Sequence, residues 1–449
     1  VKYCHNIKEY VVKVAFYTLG CKVNQYETDL MIKKFKDKNY EIVEFDEKAD
    51  IYVINSCSVT NMSTRKTRQM LSKAKKNGGV TVLAGCYAQE LKDKENFLLL
   101  KNVDIVIGNE EKNNIIEIVE ESLNKHCVSD IAHDIMYKIS DISKVKKYVQ
   151  KDMLNTGINI RESVKIEDGC NNFCSYCIIP YVRGRVRSRN IEDIVCEVEK
   201  LVKSGVGEVV LVGIEIASYG IDLDNKISLI DVIERVNKID GLKRIRLGSI
   251  EPRILTDDVI KRLSKVEKLC PHFHISVQSL DNNVLKRMNR KYTREDIFKI
   301  VENIRKNIPN SAFTCDIIVG FPGETKEEFN NTLEGVKKIK FYEIHVFKYS
   351  KRKWTRAAKM ENQVDGNIST NRSEILISLA NKLKKEYMKS YLGKKEYVLV
   401  ESYNNGFLYG FTKNYIKVKI TGDKKLWGCL LEIELNSIEE DMILGNICQ

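Results

Sequence analysis

The first third of the chain alternates short apolar runs with amphipathic stretches. Runs rich in β-branched residues occur at 11–20, 40–45, 50–56, 80–85 and 103–109. Stretches with a helical period lie between or after them, such as ETDLMIKKFKDK and EKNNIIEIVEESL. This alternation predicts βα units in an open, mostly parallel sheet covered by helices. We expect this α/β domain over residues 11–126, followed by a mixed polar linker over 127–158.

The middle of the chain repeats the same alternation. Apolar runs at EVVLVG, RIRLGSI, FHISVQS, TCDIIVG and YEIHVF are separated by helical segments such as IEDIVCEVEKLVKSG. Together with the strand before Cys170 they make about six βα units, too few for a closed eight-stranded barrel. The pattern therefore predicts a partial, open (β/α)6 barrel over residues 159–385.

The last part of the chain contains short β runs and turn signals. KKEYVLVES, FLYGFTKNYIKVKI and CLLEIEL are separated by Asn405-Gly406 and by a Thr-Gly-Asp turn at 421–423. This spacing predicts a small antiparallel barrel of about five strands over residues 386–449. The fold class expected for the whole chain is α/β, with a small β-barrel at the end.

The composition of the chain indicates which partners and which cellular compartment to expect. The chain has 449 residues and a net charge of +12, which suits a polyanionic partner. No apolar run approaches the length of a membrane span, and the first residues lack the layout of a signal peptide. We therefore expect a cytoplasmic protein without a membrane partner. In that setting the 13 cysteines favour metal ligands and reduced thiols over disulfides.

Three cysteines stand close together in the segment VKIEDGCNNFCSYCIIPYVRGRVRSR at 164–189. Cys170, Cys174 and Cys177 form a C-x3-C-x2-C pattern, here called the loop triplet. A structural zinc site needs a fourth protein ligand, and none lies nearby, so zinc is the weaker interpretation. A [4Fe-4S] cluster on three thiolates leaves one iron open for an exogenous ligand. The spacing resembles that of the radical SAM superfamily, in which S-adenosylmethionine (SAM) occupies that position. Three incidental loop cysteines are the remaining alternative.

Three more cysteines follow predicted strands of the first domain. Cys21, Cys57 and Cys86, here called the sheet triplet, come after the runs ending in L-G, N-S and A-G. The carboxyl ends of parallel strands share one edge of a sheet, so these thiols should converge there. The pattern predicts a second three-thiolate site. Buried structural cysteines, which are common in α/β cores, are the alternative.

Polar residues at the ends of the barrel strands are candidates for binding SAM. A ligand at the carboxyl ends of the strands would meet them there, although each alone is also compatible with a helix cap or a surface position. Gly320 lies in the tight turn VGFPGET, whose backbone can approach a ligand closely. The full set comprises Tyr176, Glu215, Ser249, Glu251, Ser276, Gln278, Asp316 and Gly320.

Two basic clusters are candidates for RNA contact. Arg183, Arg185, Arg187 and Arg189 follow the loop triplet. They suit a phosphate or the SAM carboxylate, and also an ordinary salt-bridged loop. The second cluster surrounds Tyr349 and Trp354, a mixture suited to phosphates and unpaired bases, and comprises Lys351, Arg352, Lys353 and Arg356. The basic stretch 58–77 fits phosphate contact and a solvated helix face equally well.

Taken together, several motifs resemble the methylthiotransferase family of radical SAM enzymes over nearly the whole chain. They are YTLGCKVNQYETD, NSCSVTN, AGCYAQE, the loop-triplet segment, GSIEPR, LKRMNRKYT, VGFPGET and HVFKYSKR. The resemblance implies one [4Fe-4S] cluster on the loop triplet and an auxiliary [4Fe-4S] cluster on the sheet triplet. It also implies a C-terminal TRAM domain that binds RNA. Leu280 and Trp354 depart from the family pattern, since both stand where glycine is common.

The branch it resembles most adds a methylthio group to C2 of N6-threonylcarbamoyladenosine, next to the anticodon of tRNA. This implies a transferase that uses two SAM molecules, one as methyl donor and one as the source of a 5′-deoxyadenosyl radical. The implied partners are the tRNA anticodon stem-loop and an electron donor such as flavodoxin or ferredoxin. Alternatives are the same chemistry on isopentenyl adenosine or on a ribosomal protein aspartate, and a non-catalytic, cluster-bearing RNA-binding protein.

Overall fold

The structure is a computed structural model that describes residues 11–91, 102–128, 135–150, 153–154, 159–224 and 227–448, with the backbone alone for 125–128. Three units follow one another along the chain: a parallel sheet with helices, a partial barrel and a small closed barrel. Within the described ranges, no helix is both long enough and apolar enough to cross a membrane.

The first unit is a parallel sheet covered by helices, as predicted, but it has six strands where the sequence pattern showed five. Its strands are β1 (Lys13–Thr18), β2 (Glu41–Val43), β3 (Ile51–Ser56), β4 (Val80–Gly85), β5 (Ile105–Ile107) and β6 (Met136–Lys138). Its helices are α1 (Lys22–Asp37), α2 (Asn61–Lys76), α3 (Cys86–Glu90) and α4 (Ile115–Val128). The strand order is β2-β1-β3-β4-β5-β6. Strands β3 and β4 are buried almost throughout and are continuous apolar runs, because both faces of the sheet are covered.

Strand β6 lies inside the segment predicted to be a linker. It pairs in parallel with β5, and Met136 stands opposite Ile105. Its three residues, MYK, are half-buried at the edge of the sheet. A strand this short shows no clear period of two, so the sequence pattern missed it. The interpretation of 127–158 as linker is therefore wrong at 136–138.

The second unit is the partial barrel. Its strands are β7 (Arg161–Lys165), β10 (Glu208–Val212), β11 (Arg244–Leu247), β12 (Ser249–Ile250), β13 (His272–Gln278), β14 (Ala312–Val319) and β15 (Glu343–Lys348). They form the groups β11-β10-β7 and β12-β13-β14-β15. Gly248 alone separates β11 from β12 and donates its N–H to the Leu211 carbonyl at 2.9 Å. These two strands thus share one position, which confirms the predicted (β/α)6 arrangement, with β7 and β15 at its open edges.

Helices and one hairpin complete the barrel. The helices are α5 (Ile179–Arg183), α6 (Ile191–Lys203), α7 (Leu229–Asn237), α8 (Asp257–Leu263), α9 (Asn282–Arg287), α10 (Arg294–Asn307), α11 (Lys326–Ile339) and α12 (Gly366–Lys389). The antiparallel pair of β8 (Glu167–Asp168) and β9 (Arg187–Ser188) brackets the loop triplet. Helix α12 runs across residue 386, the predicted start of the last domain.

The third unit is a closed barrel of five strands, the number predicted, although one of its pairings is parallel rather than antiparallel. Its strands are β16 (Lys395–Asn404), β17 (Phe407–Thr412), β18 (Lys417–Thr421), β19 (Leu430–Glu439) and β20 (Met442–Ile447). They close in the order β16-β17-β18-β20-β19. This barrel packs on the amino ends of the partial barrel, because Arg244 of β11 donates to the carbonyls of Phe411 and Tyr397, both at 2.7 Å.

A buried ion network joins the first unit to the partial barrel. At its centre is Glu27 of α1, which accepts hydrogen bonds from Arg183 at 2.5 Å, Lys112 at 2.6 Å and Lys165 at 2.7 Å. Next to it, the Tyr26 hydroxyl donates to Glu197 of α6 at 2.9 Å. Helix α1 is therefore fixed against the first strand and the first long helix of the barrel.

Candidate active site

The loop triplet lies between β8 and α5, just beyond the carboxyl end of β7. Gly169 opens this loop with φ at +83°, and a Cβ there would lie 1.9 Å from the Arg185 carbonyl oxygen, so only glycine fits. The Cys177 N–H donates to the Cys174 carbonyl at 3.0 Å, which folds the C-x2-C segment into a turn. The backbone thus gathers Cys170, Cys174 and Cys177 into one short loop.

The surroundings of these thiols suit metal ligation. Burial raises the pKa of the Cys177 thiol to about 12, with a smaller contribution from Cys174, and burial also raises the pKa of the Cys170 thiol. Arg290 Nη1 donates to Cys174 Sγ at 3.1 Å, and the Asn172 N–H donates to Cys170 Sγ at 3.4 Å. A bound metal ion would lower the pKa of Cys170 and Cys177 again, because it stabilises the thiolate form. The donor set therefore fits a cluster held by three thiolates.

The sheet triplet follows three neighbouring strands. Cys57 and Cys86 come directly after β3 and β4, and Cys21 lies three residues after β1. A Cβ added to Gly20 would lie 2.9 Å from Cys57 Cβ, so the turn after β1 touches the end of β3. The thiol of Cys86 is close enough to influence the ionisation of both Cys21 and Cys57. The three strand ends therefore meet at one edge of the sheet.

The two triplets are connected through a contact between helices α3 and α5. Helix α3 begins at Cys86 and packs against α5, which begins two residues after Cys177. Cys86 belongs to one small apolar cluster with Ile178 and Val182. Arg183, at the end of α5, donates from Nε to Cys86 Sγ at 3.3 Å. The first domain thus places the Cys86 thiol against the helix that follows the loop triplet.

A pocket of about 260 Å³ lies between the loop triplet and the segment that follows Cys57. Val59 and Thr60, which follow Cys57, line one side, and Cys177 of the loop triplet lines another. Three of the residues predicted to bind SAM also line it: Tyr176, Gln278 and Asp316. Gln278 has φ at +65° and sits at an irregularity in the pairing of β13 with β14, which turns the strand end at the pocket.

Two further candidates for SAM binding lie beside the loop triplet. Glu215 accepts a hydrogen bond from Asn172 Nδ2 at 3.2 Å. Burial raises the pKa of the Glu215 carboxyl to about 7, and the carboxylate of Glu251 adds to the increase. Glu251 in turn pairs with Arg253 at 2.9 Å and lies 3.8 Å from Arg290, the residue that contacts Cys174. These carboxylates could meet a cationic ligand at the thiol loop.

The remaining candidates for SAM binding lie farther out or have another task. Ser249 is exposed, and the carbonyl of Ser276 accepts hydrogen bonds from Arg290 and Tyr292. At Gly320, with φ at +71°, an added Cβ would lie 2.1 Å from Ser369 Oγ. The Gly320 N–H already donates to Glu324 at 2.7 Å. Close packing against α12 thus accounts for a glycine at this position, and its contact with a ligand stays a prediction.

Three of the four arginines after the loop triplet are not surface groups. Arg183, Arg187 and Arg189 are at most 3% exposed. Arg183 and Arg187 pair with Asp168, and Arg189 pairs with Glu197. The expectation that these three contact RNA is therefore wrong, because their charges are used inside the protein. Only Arg185 of this group is exposed, with its guanidinium 4.5 Å from the Phe173 ring.

The second basic cluster is exposed except for one residue. Lys351, Lys353 and Arg356 face solvent. Arg352 is buried and donates to the Val59 carbonyl at 3.2 Å and to Thr64 Oγ1 at 3.4 Å, so the predicted RNA contact is wrong for this residue. It instead ties this loop to the segment after Cys57.

Several residues at the site were missed by the sequence analysis. Arg290 contacts Cys174, and Asn109 donates to Cys86 Sγ at 3.9 Å from the loop after β5. Asn109 could have been found, because it follows a strand of the same sheet as the three cysteines do. His274 and His345 flank Asp316 at 3.2 Å each, which no local pattern indicates because they lie on three different strands.

Comparison with solved structures and sequence families identifies the class. Residues 164–336 match the radical SAM superfamily. The radical SAM methyltransferase TsrM from Kitasatospora setae, in its form with cobalamin and a [4Fe-4S] cluster, superposes with a TM-score of 0.55 at 14% identity, covering 78% of this chain and 77% of that one. At that identity the likeness concerns the fold alone. The protein is a radical SAM enzyme, a class that implies a [4Fe-4S] cluster and SAM.

Comparison with named relatives assigns the chain to a family within this class. Residues 13–108 match the uncharacterized protein family UPF0004. The chain is 39% identical to the threonylcarbamoyladenosine tRNA methylthiotransferase MtaB of Bacillus subtilis, covering 94% of this chain and 93% of that protein. It is 37% identical to MtaB of Aquifex aeolicus, covering 92% and 98%. It is also 37% identical to the tRNA-2-methylthio-N(6)-dimethylallyladenosine synthase of Clostridium botulinum, strain Loch Maree, covering 93% of each. The chain belongs to the methylthiotransferase family of radical SAM enzymes.

Proposed function

We propose that the protein adds a methylthio group to C2 of N6-threonylcarbamoyladenosine in the anticodon loop of tRNA. The observation that carries this proposal is the pocket of about 260 Å³ bordered by the loop triplet and by the segment after Cys57. A transfer that needs both a radical and a sulfur donor requires the two sources to face one substrate. Relatives named for threonylcarbamoyladenosine support the choice of nucleoside.

The cofactors follow from the two sets of thiols. We assign a [4Fe-4S] cluster with SAM to Cys170, Cys174 and Cys177, and an auxiliary [4Fe-4S] cluster to Cys21, Cys57 and Cys86. An aromatic C–H bond has no accessible acid or base route, so the reaction needs cofactors. When bound, these groups would supply a 5′-deoxyadenosyl radical and a methylated sulfur. The chain supplies a buried loop whose thiols would ionise on binding a metal. It also supplies two carboxylates next to that loop, Glu215 and Glu251, which would meet SAM.

Other parts of the chain hold the substrate. We assign the auxiliary cluster to residues 11–126, the SAM cluster to 159–385 and much of the RNA contact to 386–449. Exposed aromatic residues on the C-terminal barrel, which suit stacking on unpaired bases, are Tyr397, Tyr403 and Trp427. Lys351, Lys353 and Arg356 add exposed positive charge shortly after Ser350, which lines the pocket, and Arg185 is a further exposed arginine. The partners we propose are the tRNA anticodon stem-loop and, in the cytoplasm, a low-potential donor such as flavodoxin or ferredoxin.

Nucleoside analysis tests this function directly. Reconstituted enzyme, SAM and dithionite are incubated with tRNA that carries threonylcarbamoyladenosine, and the digest is examined by mass spectrometry. We expect 2-methylthio-N6-threonylcarbamoyladenosine and 5′-deoxyadenosine from the wild type, and neither product from Cys174→Ala. Cys196→Ala, which removes a half-buried thiol of α6, is the matched control and should keep both products. Methylthiolated tRNA from Cys174→Ala would refute the assignment.

The same experiment separates the alternatives. Methylthiolation of dimethylallyladenosine alone would move the protein to the activity named for the Clostridium botulinum relative. Binding of tRNA without 5′-deoxyadenosine would indicate a non-catalytic protein. A product on ribosomal protein aspartate, with unmodified tRNA, would indicate the protein-modifying reaction.

A further inference from the structure

Two histidines and an aspartate from three neighbouring strands of the partial barrel lie together. His274 is on β13, Asp316 on β14 and His345 on β15, and β14 pairs with both of the other strands. Asp316 stands directly opposite His345 in the pairing of β14 with β15. Asp316 Oδ2 lies 3.2 Å from His274 Nε2, and Asp316 Oδ1 lies 3.2 Å from His345 Nδ1. These three residues are here called the strand triad.

The strand triad faces the lumen of the partial barrel rather than the outer helices. Successive side chains of a strand point to opposite faces of the sheet. Ile275, Cys315 and Ile344, each next to a triad residue, are buried in the hydrophobic core that the strands share with the helices. The triad side chains point the other way and are 13%, 24% and 51% exposed, in chain order. Water and ions therefore have access to them.

The strand triad lies next to the pocket of about 260 Å³. Asp316 itself lines the pocket, together with Ile318 and Phe347, which are two residues farther along β14 and β15 than the triad. In the opposite direction, the ring of His272 lies 4.7 Å from the ring of Tyr415 in the C-terminal barrel. The triad is therefore the layer between the amino ends of the strands and the pocket, with Asp316 at the boundary.

The spacing of the triad atoms suits a divalent metal ion. With one ligand atom taken from each residue, all three atoms lie within 4.8 Å of one another. Two ligands bound to zinc at about 2.1 Å in a tetrahedral arrangement are about 3.4 Å apart. The oxygens of Asp316 lie 3.2 Å from each histidine, close to that separation. A small rotation of the carboxylate would present one oxygen and both imidazole rings to a single ion.

A hydrogen bond orients one of the two histidines. His274 Nδ1 lies 2.8 Å from Thr314 Oγ1 on the neighbouring strand. The other ring nitrogen, Nε2, is therefore the one directed at Asp316. The Thr314 hydroxyl is itself held, because it lies 3.2 Å from His272 Nε2. Histidines that bind metal ions commonly use their second ring nitrogen in this way, which fixes the orientation of the ring.

We propose that His274, Asp316 and His345 bind a divalent metal ion of the zinc type, with an open coordination position toward the pocket. Two imidazoles and one carboxylate are the ligands of open zinc sites, in which water or an oxygen of a substrate completes the coordination. Such nitrogen and oxygen ligands bind Zn²⁺ more tightly than Fe²⁺, so zinc is the ion to test. The strand triad shares no residue with the two cysteine triplets, and this ion would be additional to the clusters.

Zinc binding to the reconstituted enzyme tests the site. The protein, with its iron–sulfur clusters assembled and without SAM or tRNA, is equilibrated with Zn²⁺ at pH 8, where protons compete less for imidazole. It is then desalted and analysed for zinc and iron. We expect about one zinc per chain in the wild type, and a zinc affinity at least about tenfold lower in Asp316→Asn and in His345→Asn. Asp258→Asn, at an exposed position of α8, is the matched control and should bind zinc as the wild type does.

X-ray absorption at the zinc edge identifies the ligands. The wild type should show nitrogen and oxygen ligands at about 2.0–2.2 Å, with the scattering pattern of histidine. Sulfur at about 2.3 Å would instead place the zinc on a cysteine. The iron content of each variant reports whether the clusters are intact. If Asp316→Asn does not fold, the wild-type spectrum and His345→Asn, whose side chain is half exposed, decide the matter.

The outcomes separate a metal site from a hydrogen-bonded cluster. Zinc that is bound by the wild type without sulfur ligands and lost in the ligand variants supports the inference. Absence of zinc from the wild type, equal binding by the wild type and the ligand variants, or sulfur ligands would overturn it. In each of those cases the three side chains are a hydrogen-bonded cluster alone. Because tRNA takes no part in this experiment, its result is independent of the proposed function.

Discussion

At the scale of single residues, Leu280 shows how a departure from the family pattern is accommodated. Its side chain is fully buried, and its N–H donates to Thr332 Oγ1 at 3.2 Å. A Cβ added to Gly335 of helix α11 would lie 2.8 Å from both Cβ and Cδ1 of Leu280. The missing side chain at Gly335 therefore leaves the space that Leu280 fills.

The close packing of Leu280 against Gly335 leads to a prediction about stability. Gly335→Ala should lower the free energy of unfolding by roughly 1–2 kcal/mol, because overpacking outweighs the better helix propensity of alanine. In a Leu280→Gly background the same change should cost little, since both contacting atoms, Cβ and Cδ1, are removed. Gly366→Ala, where nothing lies within 4 Å of the added Cβ, is the control. Thermal unfolding of the four proteins measures the coupling, and strictly additive losses would contradict it.

Trp354 stands where glycine is common in the family, and the sequence alone does not show how its backbone accommodates the larger side chain. It has φ at +69°, the conformation that glycine adopts easily. For a tryptophan this costs on the order of 1–3 kcal/mol. Its ring lies 6.4 Å from that of Tyr181 and contacts the cluster of Cys86, Ile178 and Val182, which offsets the strain. The replacement is visible in the sequence, but the retained backbone and the new packing are not.

At the scale of elements, hydrophobic periods were enough to predict five strands of the first unit and the six βα units of the partial barrel in order, but not the hairpin β8–β9 or helix α12. The exceptions have local causes: β6 is too short to show a period, and the arginines near α5 form buried ion pairs. Whether Arg183 faces solvent depends on the docking of α1, whose Glu27 is 156 residues away in sequence. A local pattern does not carry that information, so the arginine-rich segment was predicted to be a surface.

The same ion network predicts how α1 docking responds to acid. Burial alone would raise the pKa of Glu27, but Arg183, Lys112 and Lys165 hold it well below its usual range. Burial likewise opposes ionisation of Asp168, yet Lys165 and Arg183 lower its pKa to about 2. Carboxyls with lowered pKa stabilise the fold above their unfolded values, near 4.5 and 3.8, and lose that effect as the pH falls toward 2.

Glu27→Gln tests that dependence. At pH 7 the change should cost roughly 3–5 kcal/mol, because it leaves buried cations without their partner. The decline in melting temperature below pH 4.5 should also become shallower than in the wild type. Glu44→Gln, at an exposed position of the same unit, should change neither. If Glu27→Gln has the stability of the wild type and the same decline in melting temperature below pH 4.5, the network does not hold α1 in place.

At the scale of the whole molecule, the three units and their folds could be predicted, but the contacts between them could not. The C-terminal barrel contacts the amino ends of the partial barrel through Arg244, and α1 packs against β7 through Glu27. Both contacts use charged residues that, in sequence, are indistinguishable from surface residues. These contacts bring the loop triplet and the segment after Cys57 to one pocket, and the proposed chemistry depends on that arrangement.

Iron and sulfide content after anaerobic reconstitution tests this arrangement most directly. The wild type is compared with two triple alanine variants, one of Cys170, Cys174 and Cys177, the other of Cys21, Cys57 and Cys86. Two independent clusters predict about eight iron per chain in the wild type and about four in either variant. About four iron in the wild type, retained without the sheet triplet and lost without the loop triplet, would contradict the account, because the pocket would then have a radical source and no sulfur source.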